Sequence, residues 1–150
     1  MSPPAEHCQT HRFAPSLLPT TLAKEPDMHL VWIRTEEGET VVEDLELPTT
    51  KEVRGYETAL LSLEGAIFRT QQPAVDLGFH NAPRRQIVVP LEGEVEIETG
   101  HGEVRLITPG MALLADDLTG QGHTSSFRPE NATTLFLVLP DDVDPTLWRN

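Results

Sequence analysis

The chain has very little cysteine and few aromatic residues, and it lacks any long apolar run. Its single cysteine, Cys8, cannot form a disulfide within the chain, which fits a reducing compartment such as the cytoplasm. No apolar stretch approaches the roughly 20 residues that a membrane-spanning helix needs, and the N-terminus shows no apolar signal-peptide core. We therefore expect a cytoplasmic protein without a membrane segment.

Basic residues are also scarce. The sequence has 11 Lys and Arg against 24 Asp and Glu, which gives a formal net charge of −13. This excess repels the phosphate backbone of nucleic acids and the anionic surface of membranes, so neither is an expected partner. The charge itself is best explained as a solvated acidic surface.

The N-terminal residues differ in composition from the remainder. Residues 1–27 contain five prolines and little alternation of apolar and polar residues, so we predict a disordered extension. A transit peptide is a weaker alternative, because the segment has no Arg-rich amphipathic pattern. Met28 directly precedes the first strand pattern and is an alternative to Met1 as the initiating residue. We predict one domain over 28–140 and a loose acidic tail over 141–150.

From His29 onward the sequence has the period-two pattern of β-strands, broken by glycine and proline. One segment, 57–63, is ambiguous between strand and helix. Many short strands without a convincing long helix predict an all-β sandwich or barrel. The predicted strands cover residues 29–35, 40–47, 66–71, 85–89, 94–99, 103–107, 111–115, 123–127 and 133–139.

Three polar side chains, His80, Gln86 and His123, stand at the ends of these strand patterns. Residues 80, 82, 84 and 86 share parity, so on one intact strand they would face the same side, although Pro83 interrupts the pattern. Imidazole and amide groups that meet inside a small barrel can hold a metal ion or orient a small molecule.

The order of these residues resembles that of the cupins. In cupins a first motif contains a glycine, His-x-His, a carboxylate and a second glycine, and a second motif contains a glycine, a tight turn and a final histidine. The resemblance covers roughly residues 40–140, and the fragments HNAPRRQ and DDLTGQGH are similar to those of small single-domain cupins. The matching positions here are His80-Asn81-Ala82, Gln86 and Gly93 for the first motif, then Gly110 and His123 for the second.

The resemblance implies a cupin-type double-stranded β-helix, also called a jelly-roll barrel, with a metal site inside it. A typical cupin site has three histidines and a glutamate, but Ala82 and Gln86 replace one histidine and the carboxylate here. His80, Gln86 and His123 remain as ligands for Fe, Mn, Ni, Zn or Cu, and the turn 116–117 can supply a carboxylate. The alternative is that these side chains are interior polar residues satisfied by their neighbours.

Arg84 and Arg85 are adjacent, so one of them is expected to face the interior, and parity selects Arg84. An interior guanidinium can hold a carboxylate or enolate of a substrate. The alternative is an ion pair with the acidic turn 116–117, which we expect for at least one of the two arginines.

The leading functional interpretation is a metal-assisted enzyme that acts on a small oxygenated molecule by dioxygenation, isomerisation or a lyase step, with His123 and Arg84 as catalytic residues. The first alternative is a metal-free module that binds or senses a small molecule. A weaker one is a cofactor-independent isomerase or cyclase that uses His123 as acid or base. The sequence lacks the motifs of hydrolases, kinases and nicotinamide enzymes. Resemblance to cupins also implies a homodimer, in which strands 29–47 can exchange with a partner.

Overall fold

The structure, a computed structural model, describes residues 28–72 and 77–149, so the predicted N-terminal extension lies outside the described residues. Within these two ranges, no helix has the length and apolar character that a membrane span requires. The elements in chain order are β1 (Met28–Glu36), β2 (Glu39–Leu47), β3 (Thr49–Glu52), β4 (Gly55–Thr58), β5 (Gly65–Thr70), β6 (Gln86–Thr99), β7 (Val104–Ile107), β8 (Ala112–Asp116), β9 (His123–Val138) and a 3-10 helix (Pro145–Trp148).

Seven strands form one mixed sheet in the order β2–β1–β8–β6–β9–β5, with β7 paired to β6. β1 runs parallel to β8, and every other pairing in the sheet is antiparallel. β3 and β4 form a separate antiparallel hairpin. The prediction of an all-β fold is confirmed.

Strand boundaries differ from the prediction in three places. β6 and β9 each join two predicted strands, because β6 continues through Pro90 and β9 continues through 128–132. The register of the β6–β9 ladder shifts between Pro90 and Glu92, which indicates a bulge. Proline has no N–H to donate to a regular ladder, and it is tolerated here because it lies beside this bulge. The ambiguous segment 57–63 forms no helix, and only its first two residues belong to a strand.

A bulge in β6 changes which residues face the interior. Before the bulge the even-numbered Gln86 and Val88 line an interior cavity, and after it the odd-numbered Val95 and Ile97 do so. Gly93 lies at the bulge with a φ of 83°, and a β-carbon there would overlap a backbone carbonyl oxygen of β9. Glycine is therefore required where the two strands approach most closely.

The central strands are buried on both faces. In β1, Val31 and Ile33 belong to one apolar cluster, whereas Leu30 and Trp32 belong to a second cluster on the opposite face. This arrangement explains why β1 contains four consecutive apolar residues instead of a strict alternation. The first cluster includes several walls of the cavity, and the second is covered by the C-terminal segment.

The C-terminal segment, predicted as a loose tail, makes specific contacts with the sheet. The side chain of Asp144 caps the 3-10 helix Pro145–Trp148 by accepting a hydrogen bond from the backbone N–H of Thr146 (3.0 Å). Arg149 donates two hydrogen bonds to Glu43 of β2, at 2.6 and 2.8 Å. These bonds to Arg149 hold the pKa of Glu43 below its ordinary value.

A second ion pair joins β7 to the edge strand β2 and predicts a pH-dependent stability. Arg105 donates to both carboxylate oxygens of Asp44, at 3.0 and 2.9 Å, and this contact lowers the pKa of Asp44. The stabilisation is present above the unfolded pKa of about 3.9 and is lost as the pH falls through the lower folded value. Both side chains are partly exposed, so Arg105→Gln should lower the free energy of unfolding by less than about 1 kcal/mol at pH 7.

Urea denaturation at neutral and strongly acidic pH measures this effect. The wild type and Arg105→Gln should differ at pH 7 and converge in acid, whereas Lys51→Gln, which removes the same charge from an exposed position, should show no such difference. A constant difference at both pH values would contradict the assignment of the effect to Asp44.

Candidate functional site

The backbone brings His80 and His123 together. The two residues form an isolated antiparallel bridge in which each N–H donates to the carbonyl oxygen of the other, both at 2.9 Å. Residues opposed in this way extend their side chains from the same face of the pair. Their ring centroids lie 4.7 Å apart, with the ring planes tilted by 54°. The two histidines singled out from the sequence are therefore neighbours.

Gly122 permits this close approach. It is buried beside His123 and has a φ of 79°, in the left-handed region that favours glycine. A β-carbon at this position would overlap the carbonyl oxygen of His80 and crowd the backbone nitrogen of Asn81. Any other residue would push the two histidine-bearing segments apart.

His123 is held from behind by Asp117. The Nδ1–H of His123 donates to Oδ2 of Asp117 at 2.5 Å, and the same oxygen accepts a hydrogen bond from Oγ1 of Thr40 at 2.9 Å. The Asp117 side chain is fully buried, and that of His123 is 6% exposed. A carboxylate can only accept here, so it fixes the tautomer that carries the proton on Nδ1.

His80 is held in the same way by a different acceptor. Its Nδ1 lies 2.9 Å from the carbonyl oxygen of Gly78, which can only accept, so Nδ1 again carries the proton. Both imidazoles are thereby left with a free lone pair on Nε2. Histidines that bind metals in proteins characteristically donate their other ring N–H to a carboxylate or a backbone carbonyl.

The spacing of the two rings suits a shared ion. Two imidazoles that bind one ion at a nitrogen–metal distance of about 2.1 Å, roughly 90–110° apart, have ring centroids about 4.5–5.2 Å apart. The observed 4.7 Å lies within this interval. The distance between the rings is therefore compatible with a shared ion.

Gln86 is the third side chain of the predicted ligand set. It is only 5% exposed and lines the same cavity as His80 and His123. The segment 81–85 is not a regular strand, because β6 begins only at Gln86. Residues 80, 82, 84 and 86 nevertheless all line the cavity, as their shared parity predicted.

The two adjacent arginines have separate roles. Arg85 pairs with Asp116 (2.7 Å) and also donates to backbone carbonyls of the C-terminal segment, which confirms the expected ion pair for one of them. Arg84 is exposed and lines the cavity, on the side that parity selected. The guanidinium of Arg84 forms no ion pair within the part of the chain that the structure describes.

The cavity beside the histidine pair has a volume of about 1120 Å³. Residues of β5, β6, β8 and β9 contribute to its wall, and both apolar and polar side chains line it. This mixture of an apolar wall and a few polar groups is typical of small-molecule sites. Its buried apolar wall consists of Ala82, Val88, Val95, Ile97, Leu113, Ala115 and Phe136.

Neither aspartate of the turn 116–117 reaches the cavity. Asp116 is bound by Arg85 and by the indole N–H of Trp32 (3.1 Å), and Asp117 lies behind His123. Over residues 28–72 and 77–149, no group of three or more His, Cys, Asp or Glu side chains is placed to hold a metal. The predicted ligand set is therefore neutral, with two imidazoles and one amide.

The remaining described histidines lie outside the cavity. His101 is exposed in a turn, and His29 at the start of β1 contacts Asp44. Sequence reasoning missed the support that Asp117 and Thr40 give to His123. The only signal for it was the acidic pair just before the turn that ends at His123.

Comparisons with known proteins give no independent assignment. No protein-family model matches the chain, and no curated protein matches it at a significant level.

Proposed function

We propose that the chain is a cupin-type jelly-roll enzyme that acts on a small oxygenated molecule with a divalent metal ion held by His80, Gln86 and His123. The support for the fold is a mixed β-sheet whose strands surround one cavity, together with the motif order of the sequence. The observation that carries the function is the histidine pair, because both rings are fixed at Nδ1 and both Nε2 atoms are left free.

The chain's own residues position the reaction. Asp117 prevents His123 from rotating, and the Gly78 carbonyl does the same for His80, so little reorganisation is needed when a substrate binds. The apolar wall supplies a surface for the carbon skeleton of the substrate. A bound divalent ion supplies Lewis-acid chemistry, which polarises a carbonyl and stabilises an enolate. Dioxygenation, isomerisation and a lyase step are all compatible with this chemistry.

A metal-free site is the second candidate, favoured by the neutral donor set. Without an anionic ligand a divalent ion is held less tightly, and the couple of His123 with buried Asp117 is also the arrangement of a general base. In this case Nε2 of His123 takes a proton from the substrate, and His80 and Gln86 orient its polar groups. A binding or sensing role uses the same contacts without turnover.

Metal analysis of untagged protein tests the first proposal. Elemental analysis and thermal shift with Fe²⁺, Mn²⁺, Ni²⁺, Zn²⁺ and Cu²⁺ should show one ion per chain for the wild type and for His101→Ala, a control in an exposed turn. His80→Ala and His123→Ala should each weaken binding by more than about 100-fold, since loss of a ligand exceeds the 10–100-fold typical of an outer contact.

Two results would count against the metal. One is the absence of both stoichiometric metal and any thermal shift, and the other is equal binding by wild type and the His80→Ala/His123→Ala double variant. Either result would leave the metal-free site as the better proposal. The cytoplasmic location and the homodimer, in which strands 29–47 can exchange, stay predictions.

A further inference from the structure

Arg69 is a cationic group of the cavity that the motif analysis did not single out. It lies on β5, an edge of the sheet, and its exposed side chain lines the cavity. Its Cζ lies 4.5 Å from the ring centroid of buried Phe136, so the aromatic face holds the guanidinium against the cavity wall. Within residues 28–72 and 77–149 Arg69 forms no ion pair.

Unmatched hydrogen-bond donors accompany this arginine. Gln71, which follows Arg69 in the chain by two positions, lines the same cavity, and its Nε2 is buried without a partner. Arg84 contributes a second guanidinium without an ion pair among the described residues, and Gln86 lines the cavity as well. A buried donor without an acceptor is costly, so the missing partner is a group rich in acceptor oxygens.

In a chain with an excess of carboxylates, an arginine without a carboxylate partner is unusual. The chain has a net charge of −13, and most of its described arginines pair with carboxylates, as Arg34, Arg85 and Arg105 do. Among the described residues, Glu130 is the one carboxylate that lines the cavity, and it forms no ion pair with Arg69 or Arg84. Two cations are thus left available for a ligand.

We infer that the cavity takes a small carboxylate, whose acid group is bound by Arg69 and Arg84 and by the Gln71 amide. This inference rests on the proposed function, because it names the ligand class of the same cavity. Guanidinium groups match carboxylate oxygens in geometry as well as in charge. The apolar wall then receives the carbon skeleton, and the histidine pair lies where a carbonyl or hydroxyl of the ligand can be bound.

Calorimetry and NMR on metal-free protein test this inference with defined probes. Succinate and 2-oxoglutarate should bind and shift the side-chain signals of Arg69, Arg84 and Gln71, whereas succinamide, which has the skeleton of succinate without its charge, should not. Arg69→Gln and Arg84→Gln should each weaken succinate binding by about tenfold or more. Glu130→Gln should strengthen it, and Arg128→Gln, whose ion pair with Glu96 lies outside the cavity, should leave it unchanged.

Succinamide binding as tight as that of succinate would overturn the inference. Equal succinate binding by the wild type and the Arg69→Gln/Arg84→Gln double variant would do the same, and so would inorganic phosphate that displaces succinate at equal concentration. These results are separable from failure of the metal proposal. The arginine variants should retain the metal that the wild type binds, and wild-type protein that holds no metal should still bind succinate.

Discussion

Gly122→Ala should destabilise the protein by about 3 kcal/mol or more and separate the two histidines. Two contributions to this loss of stability add at Gly122. The backbone has a φ of 79°, which costs a residue with a β-carbon about 1–2 kcal/mol. The new methyl group would also overlap the His80 carbonyl oxygen, which belongs to a hydrogen-bonded backbone and cannot move aside freely. Urea denaturation gives the loss of stability, and NMR of the imidazole signals gives the separation.

Gly102→Ala is the matched control, because Gly102 has nearly the same φ, 81°, but nothing within 4 Å of its would-be β-carbon. Its free energy of unfolding should fall only by the backbone contribution, about 1–2 kcal/mol, and the imidazole signals of His80 and His123 should not shift. Equal losses for the two variants would contradict a steric role for Gly122. Unchanged imidazole signals in Gly122→Ala would show that the histidine pair does not depend on the close approach.

Much of the sheet follows from the period-two pattern of the sequence, but its continuity does not. Each predicted strand in 29–47 and 103–115 corresponds to an observed strand, because alternation, or a short apolar run bounded by turn residues, indicates a strand. Pro90 suggested an end to a strand, yet the ladder continues, because a bulge in β6 accommodates it opposite β9. The hairpin of β3 and β4 was missed because its residues are largely exposed and show no apolar alternation.

The candidate site was predictable where it depends on motif positions and not where it depends on tertiary contacts. His80, Gln86 and His123 were found from their places at the ends of strand patterns. Asp117 was considered only as a source of charge for a metal, because nothing local shows that the turn after β8 returns behind His123. Arg69 carries no motif, and its significance comes only from the cavity that the curved sheet forms beside it.

Asp117→Asn should weaken metal binding by about 10–100-fold while the protein remains folded. Asparagine has nearly the same shape, and its amide oxygen can still accept from Nδ1 of His123 and from Thr40. The negative charge behind the imidazole is lost, so His123 becomes a weaker donor at Nε2. Nitrogen-15 NMR of the imidazole, a readout that needs no metal, should show increased exchange between the two neutral tautomers.

Two companion variants separate this positioning role from a structural one. Asp117→Ala should cost about 2–5 kcal/mol, because it leaves the His123 Nδ1–H and the Thr40 hydroxyl buried without an acceptor. Asp116→Asn weakens the neighbouring ion pair with Arg85, which should cost about 1–3 kcal/mol but leave metal affinity and the His123 tautomer unchanged, since Asp116 does not contact the histidine. If Asp116→Asn and Asp117→Asn lower metal affinity equally, Asp117 acts through general stability. A loss of metal affinity in Asp117→Asn alone means that a buried carboxylate, which does not line the cavity, sets the chemistry of the His123 ring, which does.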